Sequence, residues 1–411
     1  MAVFIDTGGN HDVIEVSTDP ASGEWVVSVN GTVSRYAPDA ELVINTGDGN
    51  DTVIVAAGTR MGVTIFGGPG DDLLVGGAGD DVLHGGRGND RLRGGAGDDR
   101  IWAGRGRDYI DGGPGDDDLH GGAGGDTVYG MDGDDRLHGD GGNDYLEGGR
   151  GDDVGDGGSG RDTLSGGPGD DVLRGGDGDD VSYTGPGQDT VDGGAGLDTA
   201  YVNAGDTTRA VERVIQVALR AVGNFIRVEG SAEFVARVRA DLDMLRSSPR
   251  GQALLAALER GIGASRSRLA DVPLVGRLVS QGHTLTIREY VSPCAEEDNS
   301  FAYSDTQRRP GQQMLVEYQT DFDDSYDGPP VTVLYHELAH VYDYVEGTTA
   351  EGTHEGEDNP GVQNSERVAV GLPIDHDGDP ATPRQFDPRH PYDFTENGLR
   401  DEIGTPRVPR Y

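Results

Sequence analysis

The stretch GGPGDDLLVGGAGDDVLHGGRGNDRLRGGAGDDRIW, residues 67–102, repeats every nine residues, and its register runs without a gap to Tyr201, giving fifteen units in 135 residues. The fourth position is glycine in all fifteen units, from Gly70 to Gly196, and the sixth is aspartate in all fifteen. The eighth is Leu, Ile or Val in twelve, the exceptions being Gly155, Ser182 and Ala200. A flexible glycine-rich linker has no reason to hold three columns in register. The glycines permit positive φ and close backbone packing in a tight turn. The eighth residue is the apolar tooth of a very short strand and points into a narrow core. The aspartate, at a fixed turn position, sets one carboxylate per coil in a row along the edge of a solenoid. Carboxylate and turn-carbonyl oxygens suit calcium, and nonapeptides of this pattern wind calcium-binding parallel β-helices. The reading is a right-handed parallel β-roll, or β-solenoid. Its calcium ligands are Asp72, Asp81, Asp90, Asp99, Asp108, Asp117, Asp126, Asp135, Asp144, Asp153, Asp162, Asp171, Asp180, Asp189 and Asp198.

Charge supports this. The chain of 411 residues has 74 Asp and Glu against 33 basic residues, all of them arginine, for a net charge of -41. Such a balance argues against nucleic acid or an anionic membrane surface as partner and fits carboxylates neutralised by metal ions. Within residues 67–201 there are 31 acidic side chains and 10 arginines, which would repel along each edge without cations. The block resembles the RTX calcium β-roll. That resemblance implies folding triggered by millimolar calcium outside the cell and a part in secretion. A variant unit, TGDGNDTVI at 46–54, precedes the block by twelve residues and extends the expected roll to 46–201.

Residues 1–45 alternate in places (EWVVSVNGTV, AELVINTG), with turn signals at Ser22-Gly23 and Asn30-Gly31. They read as a short β cap that covers the first coil and shields an open edge. The N-terminus shows neither a basic n-region nor an apolar core, so no signal peptide is expected, and no stretch approaches a membrane span. The one cysteine, Cys294, excludes an intramolecular disulfide and reads as a buried small apolar residue.

After Tyr201 the composition changes. Phe234, Val238, Leu242 and Leu245 fall at helical spacing, and Pro249 with Gly251 divides two helices. TLTIREYV (284–291) and QQMLVEYQ (312–319) read as strands, so residues 202–411 are expected to form an α+β domain. Within it, VLYHELAHVYDY (333–344) lies on a helix over 331–346, bounded by Pro329, Pro330 and Gly347, with Leu334, Leu338, Val341 and Val345 on one stripe. His336 and His340 are one turn apart on a shared face with Glu337 beside them. Two imidazoles at this spacing bind one zinc, and the adjacent carboxylate serves as general base. A metzincin would carry Gly and His three and six residues after the second histidine, but Asp343 and Glu346 stand there. That class is excluded, and the alternative is a gluzincin-type arrangement with a glutamate on a second helix as third ligand. Glu366, opening the apolar run of NSERVAVGLP, is the first choice, with Glu351, His354 and Glu355 as nearer rivals in an acidic glycine-rich stretch. DHDGD (375–379) lacks the glycine placement and final glutamate of an EF-hand and reads as a solvated acidic turn.

HELAH, SERVAVGLP and the terminal FTENGLRDEIGTPRVPRY together resemble the NleD-like effector zinc peptidases, over about residues 220–411. Glu366 with Gly371 five residues on is more distantly similar to the third-ligand segment of clostridial neurotoxin light chains. The resemblance implies a zincin-like fold and a zinc endopeptidase cutting protein substrates of a target cell. His336, His340 and Glu366 would hold the zinc and Glu337 would be the base. The terminal block, with a short helix over 395–404 and Thr395 as N-cap, would bring Arg400 to the site as an electrophile, with Tyr411 or Tyr392 as a further donor. A salt bridge from Arg400 to Asp401 or Glu396 is the competing role. The whole reads as a secreted or injected toxin-like enzyme with several structural calcium ions and one catalytic zinc. Its main rival is a calcium-dependent adhesin or binding module with a degenerate peptidase fold; a third reading is a zinc hydrolase acting on non-peptide substrates.

Overall fold

In the computed structural model of this chain the residues described are 2–219, 222–270, 285–289, 305–307, 314–318, 334–335, 338–339 and 402. They fall in two units, Met1–Ala218 and Leu219–Tyr411.

The first unit is a β-solenoid whose coils wind over residues 42–216 in about 10 turns. Each nonapeptide forms one strand and one turn, and successive strands alternate between an eleven-stranded and a thirteen-stranded sheet. Val82–Arg87, Arg100–Arg105 and Asp118–Ala123 are neighbours in the first sheet; Leu73–Val75, Arg91–Arg93 and Tyr109–Pro114 are neighbours in the second. All these pairs are parallel, and the register steps by eighteen: Leu83 faces Ile101 and then Leu119, and Leu74 faces Leu92 and then Ile110. A coil is therefore two nonapeptides. This corrects the expectation of one carboxylate and one apolar tooth per coil: there are two of each, and the aspartates form two columns.

Between the sheets the eighth-position teeth fill a core one side chain deep from each side. Leu74, Leu83, Leu92, Ile101, Ile110, Leu119, Val128 and Leu164 are fully buried. The exceptions stay inside as well. Ser182 and Ala200 are buried, and the space beside Gly155 is taken by the Leu164 and Leu173 side chains. The invariant fourth glycine has a steric cause. At Gly106, φ is +142°, and an added Cβ would fall onto the carbonyl oxygen of Gly88 one coil earlier.

The N-terminal strands do more than cover the first coil. Ala2–Asp6 pairs parallel with Glu41–Asn45 and Val13–Thr18 with Thr52–Val55, so both sheets begin in this segment. A hairpin of Trp25–Val29 and Thr32–Tyr36 is inserted there and adds antiparallel strands to the edge. Its turn has positive φ at both Asn30 (47°) and Gly31 (79°), as a two-residue hairpin demands. Trp25 is fully buried at this end of the core and donates its indole N–H to the Ala40 carbonyl at 2.9 Å. At the far end two strands without the nonapeptide pattern, Thr207–Arg209 and Arg213–Gln216, still pair parallel in the two sheets.

The second unit holds helices α1 (Ala232–Ser247) and α2 (Pro249–Ala270) and a mixed four-stranded sheet in the order Ile226–Glu229, Leu285–Glu289, Met314–Tyr318, Asp305–Gln307. Phe234, Val238, Leu242 and Leu245 are all buried, as their spacing requires. The Ser231 hydroxyl caps α1 by accepting the Phe234 N–H at 3.1 Å. The chain breaks at Ser248, with Pro249 at the first position of α2, where its missing N–H costs nothing. Gly251 sits inside α2 against the Leu245 carbonyl, where no Cβ would fit. Among the described residues no helix is long and apolar enough to cross a membrane.

Candidate metal centre

The sixth-position aspartates are 0–3% exposed, which is unusual for so many carboxylates. One oxygen of each is explained by the fold. From Asp90 onward Oδ1 accepts the backbone N–H of the aspartate eighteen residues earlier, as in Asp90 from Asp72 (2.9 Å), Asp117 from Asp99 (2.8 Å) and Asp171 from Asp153 (2.9 Å), while Asp72 accepts from Asp51 and Asp81 from Val63. Asp206 and Glu212 complete the columns beyond the last repeat, accepting from the N–H of Asp189 at 3.2 Å and of Asp198 at 2.9 Å.

The second oxygen of most of them has no such partner. Oδ2 is buried without a hydrogen-bond partner in Asp72, Asp90, Asp99, Asp117, Asp126, Asp135, Asp144, Asp153, Asp162, Asp171, Asp180, Asp189 and Asp198. In Asp81 it accepts the Gly77 N–H at 2.7 Å. At Gly67, Gly85 and Gly112 a Cβ would fill the space beside this oxygen, so the repeat's first glycine keeps its surroundings open.

Burial, opposed in part by the backbone N–H and reinforced by neighbouring carboxylates, drives these groups towards protonation. Asp117 is pushed up to about 9, Asp144, Asp153 and Asp171 to about 8, and Asp90, Asp99 and Asp135 to about 7. An anionic oxygen in such a place needs either a proton or a cation. A column of hard oxygens, with turn carbonyls at hand, fits calcium.

A second ladder was missed by the sequence reading. Fifth-position side chains accept in the opposite direction, from the backbone eighteen residues later: Asp71 from Asn89 (2.8 Å), Asp98 from Asp116 (3.1 Å) and Asn143 from Arg161 (2.8 Å). The signal was present, since this position is Asp or Asn in ten of the fifteen units. Turns whose fifth residue is Asp or Asn are thus held by two side-chain ladders running in opposite directions.

In the second unit, Leu334, Tyr335, Leu338 and Ala339 are helical and fully buried, and the Tyr335 hydroxyl donates to the Arg250 carbonyl at 3.4 Å. His336, Glu337, His340, Glu366, Glu351, His354, Glu355 and Arg400 lie outside the described residues, as do Tyr392, Tyr411, Cys294 and the 375–379 turn. The terminal block contributes one described residue, Glu402, which is helical. Its carboxylate accepts the Ser248 hydroxyl (2.5 Å) and the Arg250 N–H (3.2 Å) and lies 3.7 Å from Arg250 Nε. Ser248 in turn accepts the Gly251 N–H at 3.0 Å, so a terminal carboxylate is tied into the N-cap of α2, where the helix dipole favours it.

Two family models match the chain. The RTX calcium-binding nonapeptide repeat (4 copies) matches at 64–92, 84–119, 93–128, 120–155, 156–191 and 183–208. The Peptidase M91 family, described as effector protein, matches at 223–411. No curated protein matches the chain.

Proposed function

With RTX calcium-binding repeats over 64–208 and a Peptidase M91 effector region over 223–411, we propose that this chain is a zinc endopeptidase acting on proteins of a target cell and leaving its producer through a calcium-folded roll. The observation that carries the reading is the HELAH segment lying inside the matched peptidase region. His336, His340 and Glu366 hold the zinc, which supplies Lewis-acid polarisation of the scissile carbonyl when bound. Glu337 takes a proton from the attacking water and passes it to the leaving amine. Arg400 would stabilise the charge that develops on the carbonyl oxygen, with Tyr411 or Tyr392 as a further donor.

Two described features support this. The buried helical set Leu334, Tyr335, Leu338 and Ala339 lies on one side of a helix of 3.6 residues per turn, as the apolar stripe of the HELAH segment requires. Glu402, two residues past Arg400 in the sequence, is anchored to α2. In the roll, the sixth-position aspartates hold the calcium ions, so the chain folds where calcium is plentiful. The division into cap (1–45), roll (46–201) and peptidase domain (202–411) belongs to the same proposal.

The test is Glu337→Gln. It should keep the zinc of the parent chain and lose peptide-bond hydrolysis, because it removes the base alone. A Glu337→Gln chain as active as its parent rejects the assignment.

A further inference from the structure

The outer face of the eleven-stranded sheet carries a ladder of rings at the ninth repeat position, begun by Phe66 immediately before the first unit. Phe66, His84, Trp102, His120 and His138 stack in register, with successive centroids 4.7, 4.9, 5.7 and 4.4 Å apart. Stacking accounts for the first part of the ladder. At its last step the chemistry changes, because Asp118 lies two residues before His120 on the same strand and so on the same face. Asp118 Oδ1 is 3.4 Å from His120 Nε2, and Asp140 Oδ2 is 3.5 Å from His120 Nδ1. Asp118, His120 and His138 each present a ligand atom, all within 4.8 Å of one another.

We propose that Asp118, His120 and His138 form a binding site for a divalent transition metal of the zinc class on the outside of the roll, apart from the calcium columns. Ligand atoms about 2.0–2.2 Å from a tetrahedral ion stand roughly 3.3–3.5 Å from one another, which the Asp118–His120 pair already meets. The 4.4 Å stack places the His138 ring within a small side-chain rotation of the same point. One carboxylate and two imidazoles select zinc, nickel or copper, whereas calcium takes six to eight oxygens. Asp140 has the place of the carboxylate that accepts from the far ring nitrogen of a metal-bound histidine, leaving Nε2 free to ligate. His120 and Asp118 are partly exposed, at 25% and 40%, so an ion and a completing water can enter. Because His138 is on the next coil (Arg136–Gly141), the ion would clip two coils together. The rival role is ion pairing alone, with Arg100 and Arg136 flanking Asp118 in register and His120 pairing only when protonated.

The experiment uses the full-length, calcium-saturated chain carrying His336→Ala and His340→Ala, which removes the proposed peptidase site and changes nothing here if those residues bind no metal. Cobalt(II) is the probe, read by its visible absorption, with zinc as competitor. One equivalent of cobalt is expected. Asp118→Asn and His138→Phe, the latter keeping the ring stack, should each weaken binding about tenfold or more. His84→Phe, with no carboxylate beside it, should leave binding unchanged, and zinc should raise the melting temperature of the roll except in His138→Phe. No cobalt bound in excess probe, or undiminished binding by His138→Phe, overturns the proposal and leaves ion pairing only.

Discussion

Removing calcium at different pH values tests the aspartate columns by the sign of their response. Asp99 moves from 3.8 to about 7 on folding, and Asp135 and Asp180 do the same, each mainly through burial. Three units correspond to about 4 kcal/mol per ionised group. Three such groups would cost on the order of 12 kcal/mol, comparable with the whole stability of about 5–15 kcal/mol of a typical domain. Because the folded values are raised, the folded roll binds more protons than the unfolded chain between roughly pH 4 and 9. For these groups the penalty is therefore complete at pH 8–9 and is relieved progressively as pH falls from about 7 towards 4. With excess chelator, circular dichroism should show little strand at pH 8 and a rising strand signal down to pH 5.5, above the sequence pI of 4.3. Fluorescence of the buried Trp25 should follow the same transition. Strand content in chelator that is full at pH 8, or that falls on acidification across this window, would refute the reasoning.

Further outcomes follow from the peptidase region. Glu366→Ala should lose one equivalent of zinc relative to its parent, as should His340→Ala; loss instead in Glu351→Ala, His354→Ala or Glu355→Ala names a different third ligand. Arg400→Ala, and a chain ending at Arg410, should melt normally and retain zinc while turnover drops by about a hundredfold, the usual cost of an oxyanion donor; lower stability with normal turnover makes Arg400 structural. Glu402→Ala should destabilise the second unit by about 1–3 kcal/mol, measured by denaturant unfolding, since it strips the Ser248 hydroxyl and Arg250 N–H of their acceptor.

Much of the roll was legible because each column answers a local demand. The eighth-position teeth are inside, the fourth glycines have no room for a Cβ, and the Asn30-Gly31 turn is where a hairpin needs it. What the period of nine could not reveal is how many units close a coil. Both halves of the eighteen-residue coil carry the same pattern, so nothing in the sequence separates the two edges. Asp206 and Glu212 escaped notice because they end the columns after the register has broken. Ile226–Glu229 is too short to stand out as a strand, and it pairs with a segment some sixty residues away, between Ile226 and Leu285. Ser248 was hidden beside a proline and glycine that announced a break but not the cap within it. The HELAH stripe was legible in Leu334 and Leu338, both buried.

The measurement that bears most directly on the account is a survey of newly created protein N-termini after the zinc- and calcium-loaded chain is incubated with target-cell lysate, beside the same lysate with Glu337→Gln. The account expects discrete new N-termini within a limited set of proteins, absent from the Glu337→Gln sample. A folded, metal-loaded chain that generates none, or generates the same set with Glu337→Gln, contradicts it.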